Sequence, residues 1–205
     1  MCCRYYILPK AVEWDPIREE AEHAKVMRRF RETGAGLVAS GEARPTDVVP
    51  VLATDREGGR SVFPMRWGFR LDGVKPTLLI NARAETAAQK PTFRDAWAAH
   101  RCAVPASGYY EWLHSDDSQR HTGIKYAVSD SENKLIWLCG LYRIENGLPV
   151  FVILTREPGA ELAEIHDRMP LILPAEAARR WIDPEVRPED LLPFAITRLT
   201  AVKAG

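Results

Sequence analysis

Prolines and glycines are spread so widely through this chain that many short elements with frequent turns are expected. Fifteen prolines and thirteen glycines are spread through 205 residues. Proline fixes φ and withholds a backbone donor, while glycine relaxes the chain into turns. The fold must therefore be assembled from many short elements. Asp15-Pro16 has the form of a helix start, with Asp as the cap and Pro at the first helical position. Ile17, Ala21, Ala24 and Met27 then share one rough face until Gly34 and Gly36 end that helix. Strand-like runs follow at Val48 to Ala53, Ser61 to Trp67 and Leu78 to Ile80, and a short helix is predicted from Thr92 to His100. Further strands are predicted at Cys102 to Pro105, Gly108 to Leu113, Ile124 to Val128, Leu135 to Tyr142 and Val150 to Leu154. Ala160 to Ile165 and Pro174 to Ile182 are helical candidates. Strands dominate the middle without βαβ alternation, so we expect a mixed α/β fold: one domain over 1–205, built on a curved, mostly antiparallel, barrel-like sheet with peripheral helices.

Composition narrows the function classes. The chain is 46% hydrophobic, enough for a sizeable core. Its 28 basic and 28 acidic residues cancel, which argues against a strongly basic architectural DNA binder and against an acidic solvating chain. Of the basic residues 21 are Arg, a bias toward forked recognition of anions. No stretch approaches the roughly 20 apolar residues of a membrane span, and no charged-then-apolar leader is visible, so a cytoplasmic protein is expected. The four cysteines, at 2, 3, 102 and 139, fit no zinc spacing, and neither a metal nor a cofactor is expected.

Several residues are candidates for chemistry. Removal of Met1 would expose Cys2 as a 1,2-aminothiol, whose amine and thiol are both partly available as nucleophiles near neutral pH. The amine can condense with an aldehyde and the thiol can then close a five-membered thiazolidine. Glu111 lies in Gly108-Tyr109-Tyr110-Glu111-Trp112-Leu113, apolar or aromatic on both faces, so desolvation and a role as general acid are expected, or else a buried pairing with Arg. His166, between Ile165 and Asp167-Arg168, reads as a proton shuttle or as a helix C-cap. Asn81 reads as a helix N-cap or as an amide that orients a reacting atom. Arg83 and Arg94 are candidate phosphate ligands, and Trp67 a candidate platform for a base.

The order of the blocks carries more than any one of them. Met1-Cys2 with Arg4, Met65-Arg66-Trp67-Gly68-Phe69, Asn81-Ala82-Arg83-Ala84-Glu85-Thr86, Gly108-Tyr109-Tyr110-Glu111-Trp112 and Ile165-His166-Asp167-Arg168-Met169-Pro170 together resemble the SRAP family, the SOS-response-associated peptidases or abasic-site processing proteins. The resemblance runs from Cys2 to about Trp181. It implies a DNA-repair protein that captures the aldehyde of an abasic site in single-stranded DNA as a thiazolidine crosslink. By matching position it implies Cys2 as nucleophile, Glu111 as acid–base, His166 for proton transfer and adduct release, and Asn81 to orient Cys2 and the sugar. It further implies Arg4, Arg83 and Arg168 as phosphate contacts, with Trp67 and Thr155 lining the DNA path. The expected partner is single-stranded DNA containing abasic sites, bound by a monomer that is nucleoid-associated when on DNA. Two departures stand out: Cys3 replaces the family's usual Gly, where it would narrow the sugar pocket or compete as a thiol, and Gly41-Glu42-Ala43-Arg44-Pro45-Thr46 only partly matches. The alternatives are an N-terminal-cysteine autopeptidase or amidohydrolase, and a non-covalent single-strand binding module.

Overall fold

In the computed structural model, residues 3–8, 14–71, 73, 77–113, 123–132 and 134–204 are described. The chain opens with β1 (Arg4–Ile7), then α1 (Trp14–His23), α2 (Lys25–Glu32) and β2 (Gly41–Ala43). Two longer strands, β3 (Val48–Thr54) and β4 (Arg60–Trp67), precede the short β5 (Phe69–Leu71), β6 (Thr77–Leu79) and β7 (Asn81–Arg83). Helices α3 (Ala84–Ala87) and α4 (Pro91–Ala99) lead into β8 (Arg101–Ala106), β9 (Gly108–Leu113), β10 (Ile124–Ser129), β11 (Ile136–Glu145) and β12 (Leu148–Arg156). The last elements are β13 (Met169–Pro170), β14 (Ile172–Leu173), α5 (Ala175–Trp181) and β15 (Thr200–Lys203).

Five of these strands close on themselves in the order β3, β4, β12, β11, β8. Every joint of the ring is antiparallel except β4 against β12, where Val150 pairs with Arg66 and Phe151 with Trp67. Closure leaves these strands little open edge, and where ring partners diverge β7 and β13 pair with β12 and β14 pairs with β11. Alternation along β12 sends Phe151 and Ile153 to one apolar cluster and Val150, Val152 and Leu154 to another. The first cluster fills the barrel with Val49, Val51, Trp67, Cys102, Val104 and Leu138. The second lies under α3, α4 and α5, with Phe93, Trp97 and Trp181. A strand buried on both faces reads as a continuous apolar run, which is the pattern of Leu148–Leu154. Gly140 is needed on the inner wall, because a Cβ there would stand 2.7 Å from the Val152 carbonyl oxygen and 3.0 Å from Cys102 Sγ.

A second sheet, open and antiparallel, runs β15–β10–β9–β1–β2. The chain passes from the barrel into it between β8 and β9 at Ser107, whose N–H donates to the Tyr6 carbonyl (2.9 Å) and whose Oγ accepts from the Leu8 N–H (2.9 Å). Tyr5, Ile7, Tyr109 and Val128 from this sheet join the barrel's inner cluster, so one core unites both sheets. The expected mixed α/β architecture, with a mostly antiparallel barrel-like sheet and peripheral helices, is the one found. No helix among the described residues is long and apolar enough to cross a membrane.

Some local expectations need correction. The predicted helix after Asp15 is two helices, because Ala24 adopts an extended conformation (φ −59°, ψ 135°) between them. The break lets Trp14 and Ile17 pack in one direction and Met27 and Phe30 in another, into separate apolar clusters. Residues 160–165 form hydrogen-bonded turns rather than a helix, with Leu162 N–H bonded to Gly159 O and Ile165 N–H to Leu162 O. His166 therefore caps no helix. Asn81 is no N-cap either: it starts β7, paired beside Ile153 of β12.

Candidate active site

Strand β9 lies between β1 and β10, and its alternation decides where Glu111 points. Tyr109 and Glu111 are turned to the buried side, while Tyr110 and Trp112 face outward and are half-buried. Glu111 pairs with Tyr126 on one flank. On the other flank Arg4 pairs with Tyr110, and continuing that register by one residue sets Cys3 opposite Glu111. Glu111 is 4% exposed. His166 Nε2 stands 3.9 Å from Glu111 Oε1, which is ion-pair distance once the imidazole is protonated and too long for a hydrogen bond. An open cavity lined by Ala163, Ile165, His166 and Asp167 reaches the His166 side of this pair. A buried carboxylate beside an imidazole at the edge of a cavity can exchange protons with a group that reaches the pair from that cavity.

A second group of candidates is gathered on the neighbouring edge of the barrel wall, where β7, β12 and β13 run side by side. Asn81 lies beside Ile153, Arg83 beside Thr155, and Thr155 beside Pro170. Arg168, two residues after His166, connects the two groups. Its Nη2 donates to Glu85 Oε2 and to the Thr155 carbonyl, both at 2.8 Å. Burial alone would push the Glu85 carboxyl up, but the hydrogen bond and charge of Arg168 hold it below the ordinary carboxylate value. Arg83 is exposed and available to an anion.

Two candidates for the DNA path are fully buried beneath these groups. Trp67 is fully buried, stacked on Phe151 (6.2 Å between centroids) and tilted against Tyr5 (5.4 Å), so neither ring face is open to a base. Its Nε1–H donates to the Ile80 carbonyl (2.9 Å), which anchors the backbone immediately before Asn81. Thr155 is also fully buried, with its hydroxyl toward the Ala82 carbonyl (3.4 Å). Both support the site from beneath. The third outlier is Arg4, on the outward face of β1. Its guanidinium pairs with Glu42 (2.8 Å) and lies 5.4 Å over the Trp112 ring, while Lys125 reaches the same Glu42 (3.4 Å) and sits 3.7 Å over Tyr110.

Cys2 lies outside the described residues, as do His114 and His121. Cys3 is described and half-buried, and its thiol is pushed up first by burial and then by the Glu111 carboxylate. It is therefore a neutral thiol near pH 7 and a weak nucleophile. Cys102 and Cys139 are fully buried and lie in different clusters on the two faces of the barrel wall, their thiols raised by burial. With the folded protein at pH 7.5, iodoacetamide is expected to leave Cys102 and Cys139 unmodified and to label Cys3 more slowly than a free cysteine. Peptide mass mapping reads this directly, and rapid labelling of Cys102 or Cys139 would contradict the closed barrel.

Sequence reasoning passed over Glu85, although it stands inside one of the blocks that carry the resemblance. What it lacked was a partner: the Arg168–Glu85 pair spans 83 residues of chain.

A closed five-stranded barrel with an open antiparallel sheet, and a buried Glu facing a His, define the architecture that known proteins can be compared with. Residues 1–203 match the family model for SOS response associated peptidase (SRAP), and the chain belongs to that family. Among curated relatives, the abasic site processing protein YoaM of Bacillus subtilis is 33% identical over 166 residues, covering 74% of this chain and 72% of its own. YoqW of the same organism, also an abasic site processing protein, is 35% identical over 157 residues, covering 72% and 68%. The abasic site processing protein YedK of Escherichia coli is 33% identical over 138 residues, 66% of this chain and 61% of its own. Among solved structures, a phage-related protein of Bordetella bronchiseptica superposes with a TM-score of 0.75 at 22% identity, over 99% of this chain and 94% of that one.

Proposed function

We propose that this protein captures the ring-opened aldehyde of an abasic site in single-stranded DNA through Cys2. The observation that carries the reading is the buried Glu111 facing His166, with Glu111 on the strand paired to the one that follows the N-terminus. Once Met1 is removed, the Cys2 amine adds to the aldehyde carbon to give a carbinolamine. Loss of one water gives the imine. The thiol sulfur then adds to the imine carbon, the thiol proton passes to nitrogen, and the thiazolidine ring closes intramolecularly. Opening the sugar and dehydrating the carbinolamine both need a proton delivered to a leaving oxygen. Glu111 is the acid–base group for those steps, and His166 moves the proton at the imine stage and on release of the adduct. Asn81 orients the reacting groups, while Arg83 and Arg4 meet phosphates and Arg168 braces the edge. The protein acts as a monomer, without metal or cofactor, in the cytoplasm and at the nucleoid when bound to DNA.

Intact-mass spectrometry tests this. A protein whose mass lacks Met1 is incubated with a single-stranded oligonucleotide carrying one abasic site. The expected product has the mass of protein plus oligonucleotide less one water, and Cys2→Ala abolishes it. A mature Cys2 terminus that gives no adduct overturns aldehyde capture and favours amide hydrolysis by the same residue.

A further inference from the structure

The environment of His166 Nδ1 contains two partners that cannot both be satisfied by one protonation state. The Arg168 backbone N–H points to Nδ1 at 3.0 Å, a contact that requires a lone pair on that nitrogen. Asp167 Oδ1 lies 2.7 Å from the same nitrogen, a contact that requires Nδ1 to carry a proton. The neutral ring with its proton on Nε2 satisfies the first, and the imidazolium satisfies the second. In both forms Nε2–H stays directed to the side of Glu111, 3.9 Å away. His166 is thus poised between two anchored states that differ by one proton.

We propose that Asp167 is the positioning residue that holds His166 in its doubly protonated form, by accepting from Nδ1–H and leaving Nε2–H for transfer on the Glu111 side. For the rate of adduct chemistry this rests on the aldehyde-capture reading, whereas the protonation equilibrium does not. Among the described residues, other charged and titratable groups near the ring have defined places. Glu111 faces it from β9, and the Cys3 thiol, felt by Glu111, comes from the chain just before β1. The Arg168 guanidinium is turned away, into Glu85 and the Thr155 carbonyl. Asp167 is 83% exposed, so solvent and salt screen its pull on the imidazolium.

The test is an NMR titration of the imidazole nitrogens in the full chain, from pH 5 to 9, with His166 assigned through His166→Gln. Asp167→Asn is expected to lower the His166 midpoint by about 0.2–0.7 pH unit, the range for a screened exposed pair, and Asp167→Glu to restore it. The neutral form is expected as the Nε2–H tautomer. In the unaltered protein, 1 M NaCl should lower the midpoint by most of the same amount, a readout that stands even if a variant folds poorly. The alkaline limb of the pH profile for adduct formation is expected to move down with the midpoint in Asp167→Asn. An unchanged midpoint in Asp167→Asn, equal shifts in Asp167→Asn and Asp167→Glu, or a neutral Nδ1–H tautomer would each overturn the proposal. A shifted midpoint with no adduct from any variant supports the clamp and counts against aldehyde capture instead.

Discussion

Replacing Arg101 with methionine is expected to lower the unfolding midpoint by about 10 °C or more, a large effect for one side chain. Arg101 is 1% exposed, yet its guanidinium hydrogen-bonds to no carboxylate among the described residues, although the charges of Asp183 and Glu189 favour it. It donates instead to five backbone carbonyls: Trp181 (2.6 Å), Trp97, Ala98 and Val186 (each 2.8 Å), and Asp183. These oxygens belong to the last turn of α4, the end of α5 and the chain beyond it. One side chain on the barrel strand β8 thus satisfies helix termini that would otherwise be buried without partners. Its guanidinium also lies 5.7 Å from the centre of the Trp181 ring. Methionine keeps much of the volume and none of the donors. Each orphaned buried carbonyl costs about 1–3 kcal/mol, so a loss of at least ~4 kcal/mol follows even if relaxation and water satisfy some of them. For a chain of this size about 1 kcal/mol corresponds to roughly 2–4 °C. A thermal melt followed by circular dichroism measures it, and a drop under about 3 °C would show that water replaces the guanidinium.

Substituting Glu111 with glutamine carries the largest expected effect on chemistry, with little on folding. Glutamine has the same shape and can keep the site filled, but it cannot take up or release a proton at neutral pH. If Glu111 delivers the proton that opens the sugar and expels water, adduct formation with an abasic-site oligonucleotide should slow by about 10²–10⁴-fold. Affinity for an undamaged single strand should stay within about twofold, since Glu111 is buried rather than on the surface. Removing a charge from a buried position also relieves desolvation, so the variant should be no less stable than the parent. Single-turnover gel analysis, paired with binding by fluorescence anisotropy, separates these quantities. A rate loss below tenfold would remove Glu111 from the acid–base role, and a parallel collapse in binding would assign it to structure.

Much of the fold could be read along the chain because strand runs, turns and apolar patterns are local. Nearly every predicted strand appears within one or two residues of its expected place, from Val48–Thr54 to Leu148–Arg156. The missed elements are the two- to four-residue strands β1, β2, β5, β7, β13, β14 and β15. Such lengths hold too little pattern to detect, and these segments are extended because a neighbouring strand pairs with them. The helix expected at 160–165 failed for the converse reason. Its apolar spacing is adequate, but among those residues only Leu162 is buried, so little packing favours a full helix over turns.

The sequence by itself determined the mixed α/β class, the family, and the alternation that puts Glu111 with Tyr109 and apart from Tyr110 and Trp112. Only the tertiary structure decided which of those faces is buried, since alternation separates two faces without saying what packs on either. It also buried Trp67 and Thr155 fully, and set Cys3 across from Glu111. Finally, it placed Glu111 beside His166 and gave Arg168 a carboxylate partner from a distant segment. Such pairings follow from register and from closure of the barrel, which join residues dozens of positions apart, and no local pattern in the chain encodes them.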